Sequence, residues 1–417
     1  MTGGLHIRIL FLRAYNQPEI AASLYMADNI VEGLVEAGYE VIQMSPLPTR
    51  GVSKEIRQEY KRRKYEEKLD GRTKIYRFWM FREGNNPIGR AFRYLCISVV
   101  YFLRVMFLPN CALLIVESTP PTQGALAGII KRLKGTPVIY IVQDIFPDSL
   151  VNTGLTRKNS LLWKIGRVIE NFSYRNADRI VVISDSFKEN ILRKGALETK
   201  IEVIPNWVEE DSVIPIEKEN NVLYSKYGID PAKFTICYSG NIGHTQNLDM
   251  LLDVAEALRN NPDIQFVLIG DGACRKQVED RVRTARMVNV KLLPFQSYEL
   301  ISHMFSLGDV GLVISKSGVG QNSVPSKTWG IMSATRPVLA SFDLDSDLNR
   351  IIKAVNCGIC VQAEDRNALL KAVLELYENR DKLEVYGKNG RAYIESNLSR
   401  NIGVSKYVKI VREVLSY

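Results

Sequence analysis

Histidine and cysteine are scarce: the 417 residues contain three and six of them. The single C-x-x-C, Cys357-Gly-Ile-Cys360, has no second C-x-x-C and no paired histidines to complete a zinc site. It reads as two apolar cysteines in a buried strand, and no metal site is expected. Six cysteines in a chain this long do not form a disulfide framework, which points to the reducing cytoplasm. Long apolar runs are missing too. The longest, Tyr94 to Leu103, has ten residues between Arg93 and Arg104, and a membrane span needs roughly 20. The run Ile9–Leu12 lies between Arg8 and Arg13 and is shorter than a signal-peptide core of about 7–15 residues. It reads as a first buried strand. No short-period repeat and no recognisable nucleic-acid module is present.

What the chain does have is ordinary globular composition, 46% hydrophobic and 24% charged, and a net charge of +9. The charge is local. Residues 50–104 hold 15 Lys/Arg against 6 Asp/Glu, so the remainder, with 40 of each, is neutral. Strand-like and helix-like runs alternate from end to end. Ile7–Leu12, then a helical stripe of Leu24, Ala27, Val31 and Leu34 stopped by Gly38, then Tyr39–Ile42 make a βαβ unit. Strands are expected at 113–116, 138–142, 179–183 and 201–204, with helices at 124–134 and 160–175. Residues 205–232, with Pro205, Pro215 and Pro231, read as a linker. A second alternating series begins at Phe234. The expectation is an α/β protein of two doubly wound, Rossmann-like domains facing a central cleft: 1–207, 208–394, and a final helix at 395–417 returning to the first domain. Near-continuous β-branched runs suit parallel sheets covered on both faces.

Five motifs fall at strand ends. Gly240-Asn-Ile-Gly243, followed by Gln246 and Asn247, lies between a strand and a helix. Its glycines let backbone approach a ligand, Asn247 is a candidate cap, and the free N–H groups suit a phosphate. It lacks the third glycine of a Rossmann fingerprint and the G-K-[ST] of a P-loop. Pro325-Ser326-Lys327 opens a helix with a lysine that opposes the dipole unless an anion lies nearby. Ile269-Gly270-Asp-Gly272 is a turn closing a strand. Gln143-Asp144-Ile-Phe-Pro147-Asp148 puts two carboxylates at a strand end, suited to acid–base work, although Asp148 is equally a candidate helix cap. Pro205-Asn-Trp-Val208 marks the domain junction.

In order and spacing these motifs resemble glycosyltransferase family four, with its GT-B fold. Asp178-Arg-Ile-Val-Val-Ile-Ser184, Ile204-Pro-Asn-Trp207, Gly308-Asp-Val-Gly311 and Arg336-Pro337 carry the resemblance as well. The chain is most similar to the fucosamine-type transferases of bacterial O-antigen and capsule assembly, which have D-x-W-P where Asp144-Ile-Phe-Pro147 stands here. The resemblance implies a retaining, metal-independent transferase that needs no cofactor besides its nucleotide-sugar substrate. It places that donor, taken as a UDP-sugar, on the C-terminal domain: the base near Phe295, the diphosphate over Gly240, Asn241, Gly243 and the helix that follows, with Gln246, Gly270, Asn322, Ser326 and Lys327 as further donor-binding candidates. Family members often carry Arg and Lys where Asn241 and Gln246 stand, and glutamates where Asn322 and Gly330 stand. Lys327 is the available replacement cation. Asp144 is the candidate to contact the reacting sugar or the acceptor hydroxyl. Asp343-Leu-Asp345 matches the D-x-D string of metal-dependent transferases but is read as a solvated loop beyond the donor helix.

The same resemblance gives the acceptor to the N-terminal domain. Glu19 and the run Lys61-Arg62-Arg63-Lys64 are the acceptor- and membrane-side candidates. Basic and aromatic residues beside an apolar helix at 91–107 suit an anionic membrane surface and a lipid-linked saccharide. The alternative for this segment is a solvated basic loop over a buried helix. The expected place is the inner face of the cell membrane, peripherally bound from the cytoplasm. A nucleotide-sugar epimerase and a non-enzymatic membrane-binding scaffold are the competing functional classes.

Overall fold

A computed structural model describes residues 7–19, 24–84, 86–152, 154–209, 212–320 and 325–416. The chain forms two compact units, Met1–Pro205 with Gly403–Tyr417, and Asn206–Ile402.

The first unit holds an eight-stranded sheet ordered β3-β4-β2-β1-β5-β6-β7-β8. Its strands are β1 (Arg8–Leu12), β2 (Glu40–Pro46), β3 (Tyr65–Lys68), β4 (Thr73–Phe78), β5 (Leu113–Glu117), β6 (Val138–Val142), β7 (Arg179–Val182) and β8 (Ile201–Val203). The helices between them are α1 (Leu24–Glu36), α2 (Lys54–Arg62), α3 (Pro87–Phe107), α4 (Gln123–Lys134), α5 (Asp148–Asn152), α6 (Leu161–Asn176) and α7 (Asp185–Arg193). Ile9–Leu12, Leu113–Val116 and Val138–Val142 are buried throughout, as strands covered on both faces must be. Pairing is parallel except at the edge, where β3 runs antiparallel to β4. The basic segment thus corrects two expectations. It is not a loop, because α2 and the β3–β4 hairpin build the sheet's edge. Nor is all its charge solvated. Arg57 donates to the carbonyls of Leu47, Pro48 and Met80. Arg77 is held by Glu66 at 3.0 Å and the Gln17 carbonyl at 2.6 Å, and Arg93 donates to the Phe81 carbonyl at 3.0 Å. All three are buried.

Helix starts follow the local chemistry. Asn86 caps α3 by accepting from the Ile88 N–H, with Pro87 in the first turn. Ser160 caps α6 by accepting from the Trp163 N–H. Gly124 and Gly128 let α4 and α6 touch, since a Cβ at either position would stand 2.7–2.8 Å from Ser173 or Asn176. In the same unit Tyr407 is buried and Val404 packs on Gly33.

The second unit holds a six-stranded, all-parallel sheet ordered β11-β10-β9-β12-β13-β14. These are β9 (Phe234–Ser239), β10 (Ile264–Ile269), β11 (Val290–Leu293), β12 (Val310–Ile314), β13 (Val338–Phe342) and β14 (Gly358–Gln362). They alternate with α8 (Val222–Tyr227), α9 (Leu248–Ala257), α10 (Arg275–Thr284), α11 (Ile301–Phe305), α12 (Lys327–Ser333), α13 (Asp347–Val355), α14 (Arg366–Glu378) and α15 (Asp381–Asn397). The last helix, α16 (Arg400–Leu415), crosses the unit boundary at Gly403. Residues 205–232 are not a loose linker. Leu223 and Tyr224 of α8 are buried, and Trp207 is 2% exposed. Arg336 donates to the Ile216 carbonyl and Asn221 to the His303 carbonyl. Cys357 is buried and Cys360 partly buried, and burial pushes both thiols up to about 12.

Candidate active site

In the second unit four neighbouring strands, β11, β10, β9 and β12, end side by side, and each carries a motif on the loop that leaves its carboxyl end. The loop after β9 begins with Gly240 at φ +136°, and the loop after β10 with Gly270 at φ +149°. Those conformations favour glycine, and space demands it again: a Cβ on Gly270 would lie 1.8 Å from the Gly240 carbonyl oxygen. The two loops are laced by Gly240 N–H to the Ile269 carbonyl at 2.9 Å and Ile242 N–H to the Asp271 carbonyl at 2.8 Å. Gln246 closes the first loop by accepting from the Gly243 N–H at 3.2 Å and from Asn241 Nδ2 at 3.3 Å. Asn247 does not cap α9. It sits at φ +46° and its side chain makes no capping bond.

Lys327 reaches this loop from the start of α12. Its Nζ lies 3.9 Å from the centre of the Tyr238 ring and would meet a Cβ on Gly240 at 2.9 Å. Tyr238 is fixed by donating to the Asn241 carbonyl at 2.6 Å. Among the described residues Lys327 has no carboxylate partner, and desolvation lowers its pKa to about 7. Such an amine is poised for an anion: the ring face attracts the cation, and a diphosphate would restore its charge. Ser326 is exposed beside it, without a side-chain capping bond. Phe295 is 72% exposed just past β11, an open ring suited to stack on a base. Asn322 lies outside the described residues.

Two residues important here are ones the sequence reading missed. Asp343 is not a solvated loop residue. It is buried and accepts from Ser317 Oγ at 3.1 Å, Gly318 N–H at 3.0 Å and Gly320 N–H at 2.7 Å. It therefore anchors the chain that leads from β12 toward Lys327. Arg275 donates to the carbonyls of Gly270 at 2.9 Å and Leu293 at 2.7 Å, tying the β10 and β11 ends together. Neither role had a sequence signal: the partners of Asp343 lie on another strand's loop, and Arg275 joins the nearby Gly270 carbonyl to the remote Leu293 one.

In the first unit the motifs again lie at carboxyl strand ends. Ser118 Oγ accepts from the N–H groups of Gln143 and Asp144, each at 3.1 Å, and shapes the turn after β6. Asp144 opens to solvent. Desolvation of its carboxyl raises the pKa, against hydrogen bonds from Ser149 and the Ile145 N–H. Asp148 is engaged elsewhere, by Lys194 at 2.7 Å and Asn190 at 3.3 Å. Burial raises its pKa, and the Lys194 ammonium more than offsets that, so the net shift is downward. Lys194 also meets buried Glu170 at 3.0 Å. Of the two carboxylates in the motif, Asp148 is held by an ammonium and Asp144 is not.

Glu19 is 3% exposed. It accepts from the N–H groups of Thr49 at 2.7 Å, Arg50 at 3.1 Å and Asn16 at 3.1 Å, and so stitches the loops after β1 and β2 together. Burial raises its pKa against those bonds. Lys61 and Arg62 end α2, where cations suit the helix dipole. With Arg63 and Lys64 they are exposed, and the Arg77 N–H to Lys64 carbonyl bond sets them at the carboxyl end of β4.

Comparisons with known proteins bear on the family and the fold. Residues 25–207 match the Glycosyl transferase 4-like domain and residues 221–393 match Glycosyl transferases group 1. The probable glycosyltransferase WbjE of Pseudomonas aeruginosa is 28% identical over 294 residues, 69% of this chain and 71% of that protein. The putative colanic acid biosynthesis glycosyl transferase WcaI of Escherichia coli is 23% identical over 288 residues, 68% and 70% of the two chains. The crystal structure of Anabaena Alr3699/HepE in complex with UDP superposes with a TM-score of 0.72 at 12% identity, covering 98% of this chain and 100% of that one. Two units, each built on a mainly parallel sheet, and the superposition on that structure show the GT-B fold. The chain belongs to the family described by the Glycosyl transferase 4-like and Glycosyl transferases group 1 domains, and it is an enzyme of that kind.

Proposed function

We propose that the enzyme transfers a sugar, with retention and without a metal, from a UDP-linked donor to a lipid-linked saccharide in cell-surface polysaccharide synthesis. The observation that carries this reading is Lys327: a desolvated amine over the Tyr238 ring, beside a glycine loop with room for backbone-to-phosphate approach. It supplies one cation where the family resemblance implies two on the loop. In the reaction the bond from the sugar's anomeric carbon to the diphosphate breaks and the acceptor oxygen takes its place. The acceptor's proton passes to the leaving diphosphate. Protonated Lys327 and the Gly240–Gly243 N–H groups stabilise the growing charge on that diphosphate. Phe295 stacks the base. Asp144, at the carboxyl end of β6, contacts the sugar or orients the acceptor hydroxyl. Retention rests on the family resemblance. The UDP in the HepE crystal supports the choice of nucleotide, and the polysaccharide role assigned to WcaI supports the setting.

The acceptor side belongs to the first unit, where Lys61–Lys64 offer cations to an anionic head group at the inner face of the cell membrane. Release of UDP from a panel of UDP-sugars, with and without a lipid-linked saccharide extract, tests the reading. Acceptor-dependent release from one sugar supports it. Isomerised donor without acceptor would make the enzyme an epimerase, and no turnover with any UDP-sugar would refute the donor assignment.

A further inference from the structure

Helix α3 is apolar on two opposite faces. Ile97, Tyr101 and Val105 face the sheet and are buried. Ile88, Phe92, Leu95, Val99 and Leu103 repeat at helical spacing on the other side, and each is more than half exposed. A helix apolar all round is normally covered on every side, and among the described residues nothing covers this stripe. It continues across the neighbouring helices. Ile129 and Leu133 of α4 are exposed, as are Leu161, Leu162, Ile165 and Val168 of α6. The close α4–α6 approach through Gly124 and Gly128 sets these rows beside one another. Phe81 stacks on Phe92 at 6.0 Å and steadies the rim. The resulting apolar face far exceeds the scattered exposed side chains of an ordinary surface.

Charge identifies the occupant. α3, α4 and residues 149–169 contain no aspartate or glutamate. They carry Arg104, Arg132, Arg157, Lys158 and Lys164, all exposed. A second copy of the chain docked face to face would oppose these cations with more cations and no carboxylate. An anionic bilayer satisfies both features, since its acyl boundary takes the leucines and phenylalanines and its phosphates take the cations. Among the described residues no helix is long and apolar enough to cross a membrane, so the contact is peripheral.

We propose that the α3–α4–α6 face, rather than Lys61–Lys64 alone, is the surface by which the first unit lies on an anionic membrane. The inference deepens the acceptor reading above and rests on it only for why the enzyme should meet a membrane.

The test is co-sedimentation with vesicles of phosphatidylcholine alone or with 30 mol % phosphatidylglycerol. Three proteins are compared: wild type, Phe92→Ser/Leu95→Ser/Leu103→Ser, and Leu161→Ser/Leu162→Ser/Ile165→Ser. The expected result is at least tenfold tighter partitioning of wild type onto the anionic vesicles and at least a tenfold loss in each triple variant. Neutralising 61–64 should cost less than either. Retained thermal stabilisation by UDP shows that each variant is folded. Undiminished binding in both triple variants overturns the proposal. So does a vesicle-independent dimer that the same substitutions dissolve. A wild type that binds vesicles but not UDP would sink the donor reading and leave this one standing.

Discussion

Binding of a nucleoside diphosphate should draw a proton from solution, and Lys327 is the reason. Its amine is desolvated to a pKa of about 7, whereas an ordinary lysine stands near 10.5. At pH 8 such an amine is only about 10% protonated. A diphosphate at contact distance favours the charged form, so the complex should take up about 0.9 proton at pH 8 and about 0.5 at pH 7. At pH 8 the terminal phosphate of UDP is fully ionised and contributes nothing. The energies decide the affinity effect. A unit charge pair at about 4 Å with an effective dielectric of 20 is worth about 4 kcal/mol. Charging the amine at pH 8 costs about 1.4 kcal/mol. Lys327→Met should therefore weaken UDP by roughly 2–3 kcal/mol, approaching a hundredfold. Calorimetry in buffers of different ionisation enthalpy counts the proton. The ligand-free protein gives an independent check. The folded pKa is depressed, so the charged lysine destabilises the fold at and below pH 7, and that penalty is relieved as pH rises toward 10.5. Wild type should gain thermal stability relative to Lys327→Met across that window. No proton uptake at pH 8 together with unchanged affinity in the variant would refute the reasoning.

Other perturbations follow from the same geometry. Gly270→Ala forces a Cβ into the Gly240 carbonyl at a left-handed φ, and a loss of at least about 3 kcal/mol in unfolding free energy and of UDP stabilisation is expected. Asp343→Ala strips three hydrogen bonds from the 317–320 loop. It should cost roughly 2–4 kcal/mol in denaturant melts and raise the donor KM. Asp144→Asn should cut turnover by about a hundredfold or more with UDP affinity unchanged. Lys194→Met removes the ammonium shared by Asp148 and buried Glu170, while Arg167 and Tyr174 still hold Glu170, so a loss of about 1–3 kcal/mol is expected. The depressed pKa of Asp148 makes its share of wild-type stability present above about pH 4 and lost below it, so the variant should lose that acid-dependent step in a pH-melt series.

The glycine loops proposed for the donor were readable because glycines at strand ends report backbone geometry, and backbone geometry is local. Gly240, Gly243 and Gly270 fell together for that reason, and Lys327 stood out as a cation at the wrong end of a helix. What stayed hidden depends on contacts between distant residues. Nothing near Asp343 announces that it binds the 317–320 loop, so it read as solvated. Arg275 looks like any first-turn arginine until two carbonyls from different strands meet it. Asn247 has a cap's chemistry but not a cap's backbone. The basic segment misled by composition: Arg57, Arg77 and Arg93 count toward net charge yet lie inside, each held by at least one backbone carbonyl. Charge counting locates a field but not which of its sources face water.

The central claim is that a nucleoside diphosphate sits against Lys327 while Asp144 acts on the sugar side. UDP isotherms at pH 8 for wild type, Asp144→Asn and Lys327→Met test it most directly. The account predicts equal affinity for the first two and a loss of tenfold or more for the third. Three equal isotherms, or a loss in Asp144→Asn matching that in Lys327→Met, would contradict it.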